Sequence, residues 1–333
     1  MAEISLLDLQ PHKVSRDLRG YSVMFYGAAK TGKTTISSQF PKALLCAFEP
    51  GYNALPDIFA QQILSWGDFK KVINQLKQPA VAEKFQTVII DTADIAYDYC
   101  IKYICSREST AEKVYETIGD IPYGKGYALA MQEFDEQLRK ILQLNYGLVL
   151  ISHEKDKIFK DEHGQEYNKI VPSLDSRAAL VCERTCDLIG YVRGVTMGDG
   201  STQTRLFLRG TPRYDAGSRF RYTPDSIEFT YEALTKAIAD AVEKEASYGA
   251  NRVTDENQAA NVYADEETYD FPAMMEEFQT IVGNLVQKSP NMASKITMIV
   301  DKHLGKGKKV SDCTESNAPQ LDLILYDLRA LQQ

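Results

Sequence analysis

Residues 27–34 read Gly-Ala-Ala-Lys-Thr-Gly-Lys-Thr, a complete GxxxxGK[ST] pattern, and no other stretch limits so sharply what this chain can become. The apolar run 22–26 leads into it, and a segment of helical character, 34–40, leads out and stops at Pro41. Strand, glycine-bearing loop and helix in that order build a cradle for phosphate. Gly27 and Gly32 let the backbone curl until successive N–H groups face one anion, and the helix turns its positive end to the same anion. In such a cradle Gly27, Ala28, Ala29, Lys30, Thr31 and Gly32 form the loop, Lys33 reaches the β and γ phosphates, and the Thr34 hydroxyl can ligate Mg²⁺. The implied ligand is ATP or GTP.

The rest of the chain to about residue 245 has the rhythm of a parallel sheet covered by helices, an α/β class. Apolar runs at 22–26, 43–48, 87–90 and 148–151 are continuous rather than alternating, as expected of strands buried on both faces. Ala130, Phe134, Leu138 and Ile141 share one helical face, which predicts an amphipathic crossover helix over 127–144. Beyond residue 151 the texture turns polar. Segments 157–160 and 167–171 flank 161–166 as a hairpin or a mobile loop, strands at 188–193 and 205–209 are joined by a glycine-rich turn at 197–200, and a helix over 231–244 closes this part.

Two of the buried runs end in carboxylates. Val88-Ile89-Ile90-Asp91 delivers Asp91 to the carboxyl edge of its strand, where it can hold magnesium; a cap for the next helix is the alternative. Leu44-Leu45-Cys46-Ala47-Phe48-Glu49 brings Glu49 to the same edge as a base for an attacking water, or else as a solvated loop acid. Strand 148–151 ends in Ser152-His153, and His153 reads equally as a group touching the γ-phosphate and as a structural histidine.

With 46 acidic against 38 basic residues the net charge is −8, so any polyanion must be gripped locally rather than by a generally basic surface. The stretch 245–270 holds seven acids and one base, Arg252, and few aliphatic residues, which predicts a flexible linker. The expected division is a lead over 1–20, a core over 21–244, that linker, and a small helical module over 271–333. The module carries a basic turn, Gly305-Lys306-Gly307-Lys308-Lys309. The six cysteines lack metal-ligand spacing and are expected reduced and buried. The polar lead has no secretory character and no apolar run is long enough to span a bilayer, so a cytoplasmic protein without membrane contact is expected.

Four strands with these four endings resemble the RecA/RadA group of P-loop ATPases, in particular the short RecA-like proteins of bacteriophages implicated in recombination and single-strand annealing. The likeness runs over residues 21 to about 243. It is carried by the cradle, by Ala47-Phe48-Glu49 where the family has its catalytic glutamate, by Ile118-Gly119-Asp120 leading through Gly126 to Leu138-Arg139-Lys140, and by Leu148-Val149-Leu150-Ile151-Ser152-His153. The last matches the strand that ends in the family's glutamine sensor, with histidine in its place.

The resemblance implies a RecA-like core with a mostly parallel sheet, ATP and Mg²⁺ as cofactors, and assembly into a filament or ring in the host-cell cytoplasm. It implies DNA-holding loops over 106–125 and 154–177, the second offering Lys155, Lys157, Lys160, Lys169 and Arg177, with Phe159 and Tyr167 to stack on bases. That segment also holds six acids, so an ordinary solvated hairpin is its other reading. Arg209 and Arg219, with Arg213 and Arg221 beside them, stand where the family offers cations to a neighbouring subunit's nucleotide. The implied function is a DNA-stimulated ATPase acting on single-stranded DNA. Alternatives are a nucleotide-gated adaptor that recruits a single-strand-binding protein or replication partner through the C-terminal module, and an ATPase motor without DNA.

Overall fold

A computed structural model describes residues 11–16, 21–249, 252–255, 269–289 and 291–332. They fall into two compact units, the larger within residues 5–264 and the smaller within 265–333.

In the larger unit β1 (Val14–Ser15) is followed by β2 (Ser22–Gly27), α1 (Lys33–Ser37), β3 (Ala43–Ala47), β4 (Phe59–Gln62), α2 (Trp66–Leu76), α3 (Pro79–Lys84) and β5 (Thr87–Asp91). Next come α4 (Ala93–Glu108), α5 (Lys125–Gln143), β6 (Gly147–Ser152), β7 (Glu154–Lys160), β8 (Glu166–Pro172) and α6 (Ser176–Thr185). The unit ends with β9 (Leu188–Thr196), β10 (Thr202–Phe207), β11 (Gly217–Ser218), β12 (Ser226–Glu228), α7 (Tyr231–Ala246) and β13 (Val253–Thr254).

Nine of these strands form one sheet, in the order β12-β10-β9-β2-β6-β5-β3-β4 with β11 also on β9. From β4 to β9 all neighbours are parallel; β10 and β11 run antiparallel to β9, and β12 antiparallel to β10. Every residue of β2, β5 and β6 is buried, which is why their sequences are continuously apolar.

Alternate residues of these strands feed two cores. Met24, Val88, Ile90, Leu148 and Leu150 pack on Trp66, Phe69, Tyr97, Phe134 and Leu138 from the helices of one face. Val23, Phe25, Ile89, Val149 and Ile151 pack on Leu234, Ile238 and Val242 of α7 on the other. The register is level at the carboxyl edge: Ala47 pairs with Asp91, Asp91 with Ile151, and Tyr26 with Ser152. Gly27, Glu49, Asp91 and His153 therefore leave the sheet at one rim, the position at which open α/β sheets bind ligands.

The acidic stretch expected as a linker begins later than its composition suggests. Helix α7 continues to Ala246, and β13 pairs in parallel with β1. Val253 is buried in the second core, and the Arg16 guanidinium binds Glu243 at 2.5 Å and Asp255 at 3.1 Å, so apolar burial and ion pairing hold a segment that charge alone would leave in solvent. Residues 256–268 of that stretch, and 1–10 and 17–20 of the lead, lie outside the described residues.

The smaller unit contains α8 (Phe271–Lys288), α9 (Met292–Leu304) and α10 (Ala318–Ala330) around Leu285, Leu321, Ile324, Leu325 and Leu328. Among the described residues no helix is long and apolar enough to cross a membrane, and no cluster of His, Cys, Asp and Glu suits a metal by itself. All six cysteines are free, five of them buried.

Candidate functional site

Gly27 closes β2 against the neighbouring strand. A Cβ at this position would lie 2.2 Å from the Val192 carbonyl oxygen of β9, a separation no side chain survives. Gly32, at φ +87°, caps α1 in the left-handed region, which its missing Cβ permits. Between them residues 28–31 curl into the loop. Lys33, the first residue of α1, is buried, and its Nζ donates to the carbonyls of Gly27 at 2.9 Å and Ala28 at 2.7 Å. Burial pushes the Lys33 pKa down from the usual lysine value, opposed by Asp91, Glu154, Asp94 and Glu49. A cation desolvated by burial is stabilised by an anion placed beside it.

Thr34 Oγ1 donates to Asp91 Oδ2 at 2.7 Å, joining the helix after the loop to the end of β5. Burial raises the Asp91 carboxyl above its usual range, with the Glu49 charge adding to the rise, while the Thr34 hydrogen bond and the charges of Lys33 and His153 oppose it. The two oxygen groups suit Mg²⁺, a hard cation that takes few protein ligands and completes its octahedron with water and phosphate oxygens. Thr34 and Asp91 would hold it, and it would supply charge neutralisation at the phosphates. Thr92, not Asp91, occupies the N-cap position of the next helix, α4, without a side-chain cap bond, and Asp91 is bonded to the loop helix instead.

Glu49 stands beside this pair. Its Oε1 accepts from the Thr92 hydroxyl at 3.3 Å and lies 4.0 Å from His153 Nδ1. His153 Nδ1 is also 3.3 Å from Asp94 Oδ2. The structure thus brings Lys33, Thr34, Glu49, Asp91 and His153 to one rim and adds Thr92 and Asp94, which the sequence reading passed over. Their signal was present: two acids three apart, Asp91 and Asp94, straddle a strand-to-helix junction.

The arginines behave differently. Arg209 donates to the carbonyls of Ser218, Phe220 and Arg221 at 3.2, 2.9 and 2.8 Å, strapping down its own loop. Arg219 binds Asp187 at 2.9 Å and the Arg184 carbonyl at 2.5 Å. Both guanidiniums are engaged within the chain, and that of Arg221 lies over the Tyr222 ring. Arg213 is exposed, and its guanidinium makes no hydrogen bond or ion pair among the described residues.

The polar segment after His153 is a two-stranded hairpin, β7 with β8, apart from the main sheet. Its register sorts the charges. Lys155, Lys157 and Phe159 pair across with Val171, Lys169 and Tyr167, while Glu154, Asp156, Ile158 and Lys160 pair with Pro172, Ile170, Asn168 and Glu166. Directly opposed residues share a face, so the first set forms a basic and aromatic side and the second an acidic and apolar one. On the first, Phe159 stacks on Tyr167, and the ammoniums of Lys157 and Lys169 lie 5.3 and 5.5 Å from the Phe159 ring. With Leu174, Ala179, Glu183 and Asp215 this side lines a groove of about 370 Å³.

Two expected DNA-contacting residues lie elsewhere. Lys160 is on the reverse side, 3.5 Å from Glu166, and Arg177 packs over the Tyr127 ring at 4.1 Å. Lys155 is exposed on the first side, and its Nζ is tied to the Leu174 carbonyl at 2.6 Å.

Residues 19–220 match the AAA domain family, which spans the cradle, the rim and the hairpin. Over 98% of its length and 98% of the relative's, the chain is 30% identical to the SPbeta prophage-derived uncharacterized protein YorG of Bacillus subtilis (strain 168). With that match falling on a strand, loop and helix whose glycines, lysine and threonine are arranged for phosphate, the chain belongs to the AAA domain family of P-loop ATPases.

Proposed function

We propose that the larger unit is a RecA-like ATPase of the phage recombination and annealing type, which binds Mg-ATP in the cradle and acts on single-stranded DNA through the basic side of its hairpin. Lys33 binds the phosphates, Thr34 and Asp91 hold the metal, and Glu49 orients and deprotonates the attacking water. His153 contacts the terminal phosphate. Adenine rather than guanine follows from the RecA resemblance. Subunits assemble as a filament or ring, and the unengaged Arg213, rather than Arg209 or Arg219, is the cation offered to a neighbour.

The observation that carries the DNA reading is the placement of Lys157 directly across from Lys169. Like charges so opposed repel and weaken a hairpin unless something negative lies over them. Asp215 answers Lys169 alone, and Lys157 stays exposed. A phosphate backbone would neutralise Lys157, and Phe159 with Tyr167 offers bases a stacking surface whose binding is tolerant of sequence.

The test is ATP turnover with and without single-stranded DNA, using Lys33→Ala as the nucleotide-binding control. DNA-dependent acceleration supports the proposal; turnover indifferent to DNA but raised by a replication partner would replace it with the adaptor reading. The latter draws on the smaller unit, where Leu323 and Tyr326 of α10 are 51% and 65% exposed.

A further inference from the structure

The basic side of the hairpin is one wall of the groove of about 370 Å³, and α6 is the other. Ser176, Ala179 and Glu183, three and four residues apart, turn one face of that helix toward it. Val171 and Leu174, both buried, give the groove an apolar lining, and the Phe159 ring adds an aromatic one. The two walls carry opposite charge, lysines on the hairpin and a carboxylate on the helix.

Two of the three lysines are already engaged. Lys155 Nζ donates to the carbonyls of Ser173 and Leu174 at 3.3 and 2.6 Å, and Lys169 is paired with Asp215. Lys157 has only the Phe159 ring, 5.3 Å from its Nζ. Glu183 is exposed, and among the described residues its carboxylate makes no hydrogen bond or ion pair, with these lysines or with any other group. A groove that served a phosphate chain alone would bind it better without this acid, which repels the chain. A ligand that brings phosphate and hydrogen-bond donors together removes the conflict. One nucleotide of a single strand does so, with its phosphate at Lys157, its ring against Phe159 and the donors of its base edge at Glu183.

We infer that Glu183 reads one base of the bound strand and makes the groove prefer guanine. An ionised carboxylate only accepts hydrogen bonds, and it does so best in pairs. Guanine sets its N1–H and an N2–H side by side, matching the two carboxylate oxygens. Adenine and cytosine offer one amino donor beside a ring nitrogen whose lone pair faces the carboxylate, and thymine offers one N–H between two carbonyls. The inference rests on single-strand binding by the hairpin and deepens that reading, adding one discriminating contact to stacking that is otherwise tolerant of sequence.

The experiment is anisotropy titration of the full chain, with Mg²⁺ and a non-hydrolysable ATP analogue throughout and at one salt concentration, against three labelled oligonucleotides of equal length. One is thymine alone; the second has guanine at every third position; the third has hypoxanthine there, which keeps the purine rings for stacking and the N1–H but lacks the 2-amino group. The wild type binds the guanine strand about fivefold tighter than the thymine strand, the low end of what a bidentate base contact gives, with the hypoxanthine strand between them. Glu183→Ala removes the preference, and Glu183→Gln, which keeps one acceptor but turns a donor toward the base, reduces it. Glu183 is exposed and unbonded, so neither variant threatens the fold. A carboxylate acting through charge alone would, on removal, raise all three affinities by one factor and leave their ranking in place. A preference that survives Glu183→Ala, or a wild type that binds the three strands equally, overturns the base reading and leaves single-strand binding standing. A wild type that binds none of them overturns the DNA reading and the base reading together.

Discussion

Lys33 and Asp91 are both buried and both shifted toward their neutral forms, Lys33 downward and Asp91 upward, with burial the largest cause in each. A carboxyl whose folded pKa lies above its unfolded value favours folding while protonated, and that contribution fades as pH rises through the folded pKa. In the nucleotide-free protein, ionised Asp91 is thus a cost to stability at neutral pH. Asp91→Asn keeps an acceptor for Thr34 and removes the charge, so it should raise the Tm at pH 7 by an increment that shrinks as the pH is lowered, and it should abolish Mg-dependent turnover; thermal scans across pH check the first and an ATPase assay the second. A fall in Tm at neutral pH would show that the charge stabilises the fold instead. At this scale the cradle, Asp91 and Glu49 were legible because each follows an apolar run that fixes where it emerges. Asp94 was not, because its hydrogen-bond partner, Ser173, lies 79 residues away and reaches it only once β8 returns beside β6.

Among the elements, β2, β3, β5 and β6 declare themselves as unbroken apolar runs, whereas α2, α3 and β4 were not foreseen and α4 was expected only as a helix beginning after Asp91. Helix α4 lies against a core that takes Ala93, Ala96, Tyr97, Cys100 and Ile104, and its polar residues are spread so evenly that no apolar stripe stands out. β4, Phe-Ala-Gln-Gln, is a four-residue edge strand whose second half is two glutamines, and it reads as loop. The hairpin was foreseen in outline, but the sorting of its charges needed the register. One prediction belongs here. Reversing Lys157 and Lys169 to glutamate should weaken single-strand binding and reduce the slope of log affinity against log salt by about one for each phosphate that is no longer neutralised, as measured by anisotropy titrations at several salt concentrations. Reversing Lys160, on the other side, should leave that slope in place; equal effects from both sides would remove the sidedness from the DNA reading.

Across the whole molecule, the net charge of −8 weighs against a nucleic-acid coat but says nothing of a single sorted hairpin, because alternation along two strands separates charges that composition adds together. The larger and smaller units have separate apolar cores, and the cradle, the rim and the hairpin all belong to the larger. Removing residues 265–333 should therefore leave nucleotide affinity within about twofold by calorimetric titration, as expected of a domain with its own core. A larger loss would mean that the smaller unit takes part in the cradle. Under the adaptor reading the same truncation would instead silence partner-stimulated turnover and spare the basal rate.

The parallel pairing of Val14–Ser15 with Val253–Thr254 bears on where this protein can be cut. Hydropathy invites trimming at residue 21, just before the first long strand. That incision would leave Val253–Thr254 without its mate and take Arg16 from Glu243 and Asp255. The carboxyl-terminal strap would then peel from the body near Ala246, and a shortened protein made for crystals would gain a loose tail rather than lose one.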